Sequence, residues 1–464
     1  MATVDSSLAG SALGELQAGM RGDVVRPGDP AYDTVRAVHN GMIDRRPGAI
    51  VRCADVADVI AVVNFARREG LLLAVRGGGH NAGGLGSCDG GIVADLSALR
   101  GVRVDAERRT ARVEGGALLR DLDHATHAFG LATPAGIISS TGIAGLTLGG
   151  GIGHLTRQHG LTIDNLLEAD VVLADGTLVT ASEREEPELF WALRGGGGNF
   201  GVVTSFLLQL HPVETVNAGP MLWDLDRAGD VLRWYREFLP AAPERLNGFF
   251  AFLTVPPAPP FPEHLHLRKM CGIVWCHNGD PADFDRLVAP LRQSLPPALD
   301  GVHQVPYPAL QGVFDPLYPP GLQWYWRADF FGAIPDEAIE AHLRFAEAPT
   351  MHSTMHLYPI DGAAHRAGPS DTAFGHRDAT WAGVMVGVDP DPAQADALRR
   401  WSVDYWTALH PYSTGGAYVN FMMAEGEDRI RASYRDNYGR LTRVKAAYDP
   451  QNLFRVNQNI PPAR

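Results

Sequence analysis

The chain has 464 residues, 45% of them apolar and 20% charged, with a formal net charge of −13 and four cysteines. That length allows two or three domains with substantial cores, while an acidic balance without clustered Lys or Arg argues against nucleic-acid binding. Four cysteines are too few to staple a chain of this size, and no apolar run approaches a membrane span. The opening MATVDSS has no basic segment followed by an apolar one, so a soluble, cytoplasmic protein is expected. Cys53, Cys88, Cys271 and Cys276 are expected as reduced, mostly buried thiols.

Residues 54–70, ADVADVIAVVNFARREG, carry apolar side chains at helical spacing and stop at glycine, which predicts a helix. Strands are predicted at LLLAV, from Leu71, and at GIVADLSAL, Gly91 to Leu99. Between them lies RGGGHNAGG, Arg76 to Gly84, where three glycines let backbone N–H groups approach a ligand and leave His80 uncrowded. Such a loop can grip a large planar or phosphorylated cofactor. It is not the dinucleotide fingerprint, which needs a helix directly after its glycines. On local sequence His80 is either a ligand-holding group or a loop histidine satisfied by a hydrogen bond.

TARVEGGA adds a strand, LLRDLDHATHAFG an amphipathic helix, and a second glycine tract runs from Gly142 to Gly153. LEADVVLADGTLVTA reads as a hairpin turning at its Asp-Gly. After His211-Pro212 the glycine tracts stop and proline rises, with PPAPPFP as a surface loop. Helix candidates such as PDEAIEAHLRFAEA then alternate with the aromatic-rich strands GLQWYWRADFF and HSTMHLYPI, which predicts a separate α+β unit up to about residue 415. DRIRASYRDNYGRLTRVKAAYDP reads as a strongly helical run, and NLFRVNQNIPP as a segment that packs back onto the rest. His352 and His356 share a strand face but have no Asp, Glu or Cys nearby, so no metal is expected. His124, His127 and His154 read as surface or supporting histidines.

Five segments occur in one order: residues 24–59, the Arg76–Gly84 loop, TGIAGLTLGGGIGHLTRQHGLTIDNL, ELFWALRGGGGNFGVVTSF, and YVNF with YDPQNLFRVNQNIPP. On these the chain, over essentially its whole length, resembles the FAD-linked oxidases of the berberine bridge enzyme type, within the vanillyl-alcohol-oxidase fold superfamily. The resemblance implies an α+β fold with a PCMH-type, two-subdomain FAD-binding domain over 1–212. A substrate domain with an antiparallel sheet would span 213–417, and residues 418–464 would return to complete the FAD domain. It also implies FAD bonded covalently to His80, with Arg76, Gly77, Gly78, Gly79, Asn81 and Gly84 near its pyrophosphate side. The clamp would continue through Thr141, Gly142, Gly145, Leu148, Gly149, Gly150, Gly153 and His154, then Asp164, Asn165, Gly201 and Val203. Asn457 and Asn459 would approach from the returning C-terminal segment. Many members attach the flavin a second time through a cysteine. Here PAGIISSTG puts Ile138 at that position, so attachment through His80 only is expected.

The family often uses a tyrosine in a Tyr-x-Asn element, here Tyr418 and Asn420, as the proton acceptor. A free phenol is a weak base at pH 7, and the alternative that Tyr418 only packs against the flavin stays open. Phe421 stands where plant-type members carry a second tyrosine. Trp324, Trp326, His356, Tyr358, Trp381 and Tyr412 are the expected substrate-lining residues, because broad rings at period two give a platform with a polar edge. Alternation sends Trp324 and Trp326 to one face and Tyr325 to the other. The implied reaction removes a hydride from an alcohol or amine carbon of a small metabolite, sugar, or aromatic or heterocyclic compound. O2 would be reduced to H2O2, favoured by the small side chains of Thr141 and Ala144. The same fold with a non-oxygen acceptor is the alternative, and the oligomeric state is left open.

Overall fold

The computed structural model describes residues 10–464; the MATVDSS opening lies outside the described residues. Three sheets organise the chain, with a short two-stranded pair (Leu131–Ala132 and His211–Pro212) beside them. The first sheet runs Asp23–Val25, Ala49–Arg52, Ile92–Asp95, Leu73–Arg76, and its last three strands are parallel. Helix Val56–Arg68 covers it. Asp55 caps that helix by accepting from the Asp58 N–H, and Val59, Val62, Val63, Phe65 and Ala66 are buried at helical spacing. Each large apolar side chain so buried contributes roughly 1.5–3 kcal/mol.

The second sheet, Val102–Asp105, Thr110–Glu114, Val202–Gln209, Leu166–Val172 and Leu178–Ser182, is wholly antiparallel. Its last hairpin turns at Asp175-Gly176, as the sequence predicts: the Leu173 N–H donates to the Thr177 carbonyl and Gly176 has φ +87°.

The third sheet has eight antiparallel strands. Three adjacent ones, Thr354–Pro359, Trp381–Asp389 and Gln323–Phe331, matter most for the site. Helices Ala228–Ala241, Asp336–Arg344 and Ala395–Leu409 pack on one face, where Met355, Leu357, Trp381 and Met385 are buried among them. The other face, carrying Trp324, Tyr358, Val384 and Val386, shares a core with the second sheet.

The long helical run expected after residue 427 is two helices, Glu427–Tyr434 and Tyr438–Tyr448. Arg435 breaks it at φ +48°, and the buried Asn437 amide donates to the carbonyls of Pro369 (2.7 Å) and Thr372 (3.1 Å). A left-handed residue, with tertiary partners for the side-chain amide that follows it, ends a pattern that periodicity alone would continue. The segment after it does return. Fully buried Lys445 donates to Asp449 (2.7 Å) and to the carbonyls of Asn199 (2.6 Å) and Phe454 (2.8 Å), tying the final residues to the Gly195–Gly198 loop. All four cysteines are free and buried. Among the described residues no helix is long and apolar enough to cross a membrane.

Candidate active site

A deep cavity runs from the edge of the first sheet to the face of the third that turns toward the second. On one side its wall is main chain. The strand Leu73–Arg76 passes into the Gly77–His80 loop, and the helix Ile143–Gly149 begins beside it. A Cβ on Gly78 would lie 2.4 Å from the Gly142 nitrogen, and one on Gly142 would lie 2.3 Å from the Gly78 nitrogen, so only glycine permits this approach. Gly145 and Gly198, which also line the cavity, have open space where a Cβ would project.

His80 lines this wall with its ring stacked on His39 at 3.8 Å and its Nε2 3.4 Å from the Ser140 hydroxyl. The stack is fixed by the His39 N–H, which donates to the Gly79 carbonyl (3.0 Å). Burial lowers His39 to about 4 and His80 well below its ordinary value, so both imidazoles are neutral at pH 7. Arg76 lines the cavity but is paired with Asp95 at 2.8 Å, both buried.

Tyr418 lies on the same cavity. Its hydroxyl oxygen accepts from the Gly151 N–H and from Asn420 Nδ2, each at 2.7 Å, and the second amide hydrogen of Asn420 reaches the Leu146 carbonyl at 3.1 Å. Burial pushes the phenol up to about 12, against the pull of those two donors toward phenolate. Phe421 meets Tyr418 edge-on at 4.8 Å and Trp326 at 5.7 Å. From the third sheet come Trp324, Trp326, Thr354, His356 and Tyr358, all even-numbered residues that the register puts on one face, with Phe314 and Tyr318 from the preceding loop.

The residues present fit a dinucleotide cofactor. Glycine edges expose backbone donors, apolar walls flank a slot, and buried Asn457 Oδ1 and Tyr434 Oη, both of cavity-lining residues, lack protein partners among the described residues.

Comparison with known proteins agrees. Residues 47–182 match the FAD binding domain family and residues 417–461 the berberine and berberine like family. An FAD-linked oxidoreductase of Bacillus subtilis is 32% identical over 453 residues, covering 96% of this chain and 98% of the relative. The chain belongs to the berberine bridge enzyme-like family of FAD-linked oxidoreductases. Within it, (R)-6-hydroxynicotine oxidase of Paenarthrobacter nicotinovorans is 31% identical over 465 residues, covering 96% of this chain and 97% of the relative. The crystal structure of 6-hydroxy-D-nicotine oxidase from Arthrobacter nicotinovorans superposes with a TM-score of 0.84 at 27% identity, covering 96% of this chain and 98% of that one. The protein is therefore an FAD-binding enzyme of this berberine bridge-like family.

Of the residues the family resemblance nominated for the cofactor, Arg76 to Asn81, Thr141, Gly142, Gly145, Leu148, Gly201, Val203 and Asn457 line the cavity. The others do not. Gly149 and Gly150 stand behind it and make room for the Tyr-x-Asn element: a Cβ on Gly149 would lie 2.3 Å from Asn420 Oδ1, and one on Gly150 3.1 Å from the Tyr418 ring. Gly84 packs on Ile43, and Gly153 on the Ala135 carbonyl. His154 is buried near Phe249, with burial holding it at about 3. Asp164 is committed to Arg377 at 2.6 and 2.8 Å, and Asn165 to His211 at 2.6 Å. Asn459 is also off the cavity, where Gln458 stands instead.

Two substrate-lining expectations are corrected. Trp381 pairs with Phe331 and Pro359, and its odd position turns it onto the helix-covered face, 4.9 Å from Tyr235. Tyr412 packs against that same helix-side core. The sequence reading missed His39, Ser140, Tyr318, Tyr434 and Gln458. His39 stands three residues after the short helix Tyr32–Arg36 with no periodic partner, and Tyr318 lies in a proline-bounded loop, so neither carries a pattern that points inward.

Proposed function

We propose that the protein is an oxidase that oxidises an alcohol or amine carbon of a small metabolite, sugar or aromatic compound and passes the electrons to O2, releasing H2O2. Its FAD is attached covalently through His80 alone. The observation that carries this reading is the joint exposure of His80 and a doubly hydrogen-bonded Tyr418 hydroxyl on one cavity. Bound FAD supplies the two-electron acceptor.

The chain supplies the rest. Tyr418 accepts two N–H donors, so its own O–H is the group left to meet a substrate hydroxyl or amine. When the tyrosine takes up a proton from substrate in its phenolate form, Gly151 and Asn420 hold the oxyanion. The rings of Trp326 and Phe421 exclude water beside it. Single attachment is supported by Ile138 lining the cavity, and by the four cysteines, none of which lines it. Oxygen as acceptor is supported by the small side chains Thr141 and Ala144 along the wall and by the oxidase relative at 31% identity.

Acid precipitation followed by mass analysis tests the attachment: flavin is expected in the pellet, on the His80 peptide. Peroxide release under air tests the acceptor, and reduction of a dye without peroxide would replace oxidase with dehydrogenase. Tyr418→Phe should slow anaerobic flavin reduction by roughly 10²–10⁴-fold. With a phenol at about 12, the parent rate should rise with pH through the neutral and mildly alkaline range, and the variant should lose that rise. Equal reduction rates in variant and parent would remove Tyr418 from the role of base.

A further inference from the structure

The substrate face of the cavity is aromatic and carries no fixed charge. Among the described residues no Asp, Glu or Lys lines the cavity, and the one guanidinium there, Arg76, is on the opposite wall and paired with Asp95. The polar groups presented by the third sheet centre on His356 and Tyr358, two residues apart and therefore on one face of the strand Thr354–Pro359. His356 Nδ1 and the Tyr358 hydroxyl are 2.6 Å apart. Phe249 packs at 4.9 Å from the first ring and 5.0 Å from the second, and Phe421 at 5.8 Å from Tyr358, so the pair is held from both sides. Burial keeps the imidazole neutral, at about 3, and pushes the phenol well above its ordinary value.

A neutral imidazole hydrogen-bonded to a phenol has two equivalent arrangements. If the phenol donates to Nδ1, the pair shows the cavity an Nε2–H donor and a phenol lone pair. If Nδ1–H donates to the phenol oxygen, it shows an O–H donor and an Nε2 acceptor. In either state it offers one donor and one acceptor and no net charge. A hydroxyl group, which can donate one hydrogen bond and accept another at the same oxygen, is matched by both. An ammonium has only donors and finds no carboxylate here, and a carboxylate has only acceptors and finds no free cation.

We propose that the His356–Tyr358 pair determines specificity and selects an uncharged, hydroxyl-bearing substrate with a flat apolar face, rejecting the ammonium and carboxylate analogues of the same skeleton. This rests on the oxidase reading of the cavity and narrows its alcohol or amine to the alcohol.

The test is equilibrium binding to the anaerobic holoenzyme at pH 7, read from the perturbed flavin spectrum. The probes are 2-naphthylmethanol and its isostere 2-naphthylmethylamine, which is an ammonium at that pH. The alcohol should bind about 100-fold more tightly, the penalty for carrying an unpaired charge into the cavity or shedding its proton first. His356→Phe, which keeps the ring and removes the polar pair, should shrink that preference to within about fivefold; Tyr358→Phe gives the same readout if the first variant does not fold. His356→Glu should favour the amine. Equal or tighter binding of the amine to the parent, no binding of either probe, or a preference untouched in both Phe variants would overturn the proposal. Preferential binding of the alcohol without flavin reduction would uphold the selectivity, and the oxidase reading on which it rests would then stand or fall on peroxide release under air.

Discussion

The two walls of the cavity are built on opposite plans. The cofactor side is backbone, with Gly78 and Gly142 in contact at distances no side chain allows. The substrate side is side chain, with rings drawn from even positions of neighbouring strands whose odd positions face a different core. A wall of main chain accepts almost no substitution and recognises what every FAD presents. A wall of side chains can be recut one residue at a time without moving the sheet that carries it. The difference explains how relatives at about 30% identity, a hydroxynicotine oxidase and a xylooligosaccharide oxidase among them, share a fold and a cofactor while acting on different substrates.

Gly78→Val attacks the first plan and should have the largest effect. The added Cβ would overlap the Gly142 nitrogen at 2.4 Å, so little soluble protein and no bound flavin are expected, read from yield and the visible spectrum. Stoichiometric flavin in this variant would show that the main-chain contact is dispensable. The second plan is sharpened by a pair of tryptophans. Trp381→Ala should lower stability by about 3–5 kcal/mol through the cavity it leaves on the helix-covered face, with KM unchanged. Trp326→Ala should do the reverse, moving KM by about tenfold with a melting temperature close to the parent's.

The smallest effect concerns the seam between the walls. Asp123 is wholly buried on helix Leu119–His127, and among the described residues its carboxyl has one hydrogen-bond partner, Gln311 Nε2 at 3.5 Å, which also donates to the Gly136 carbonyl on the cavity wall at 2.8 Å. Burial raises this carboxyl to about 7. Between about pH 4 and pH 7 the folded chain keeps that proton while the unfolded chain has lost it, so stability falls as pH rises through this window. Asp123→Asn should remove the slope and stabilise the protein at pH 8 by about 2 kcal/mol. Chemical denaturation at pH 5 and pH 8 checks it, and an unchanged slope would assign the dependence to other groups.

The elements were largely legible because their signals are local. Helical spacing ending in glycine gives Val56–Arg68, the Asp-Gly gives the hairpin, and the run of glycines before His80 marks the main-chain wall. What failed depended on direction rather than on element. Trp381 was nominated for its chemistry, but register with Phe331 decides which face it takes. Asp164, Asn165 and His154 follow the second glycine tract in sequence, yet the chain there has already turned inward, and Arg377 and His211 claim the first two. The resemblance puts Gly149 and Gly150 in the cofactor clamp, whereas they clear space for an asparagine and a tyrosine from the far end of the chain.

That distance in sequence has a consequence for biosynthesis. Phe454, Asn457 and Gln458 line the same cavity as Leu73 to His80, and Lys445 and Asn199 hold them there. A ribosome delivers the earlier strand hundreds of residues before the later segment, so the nascent chain carries an open trough rather than a pocket. The slot for the cofactor therefore gains its last wall only after residues 454–458 have been made.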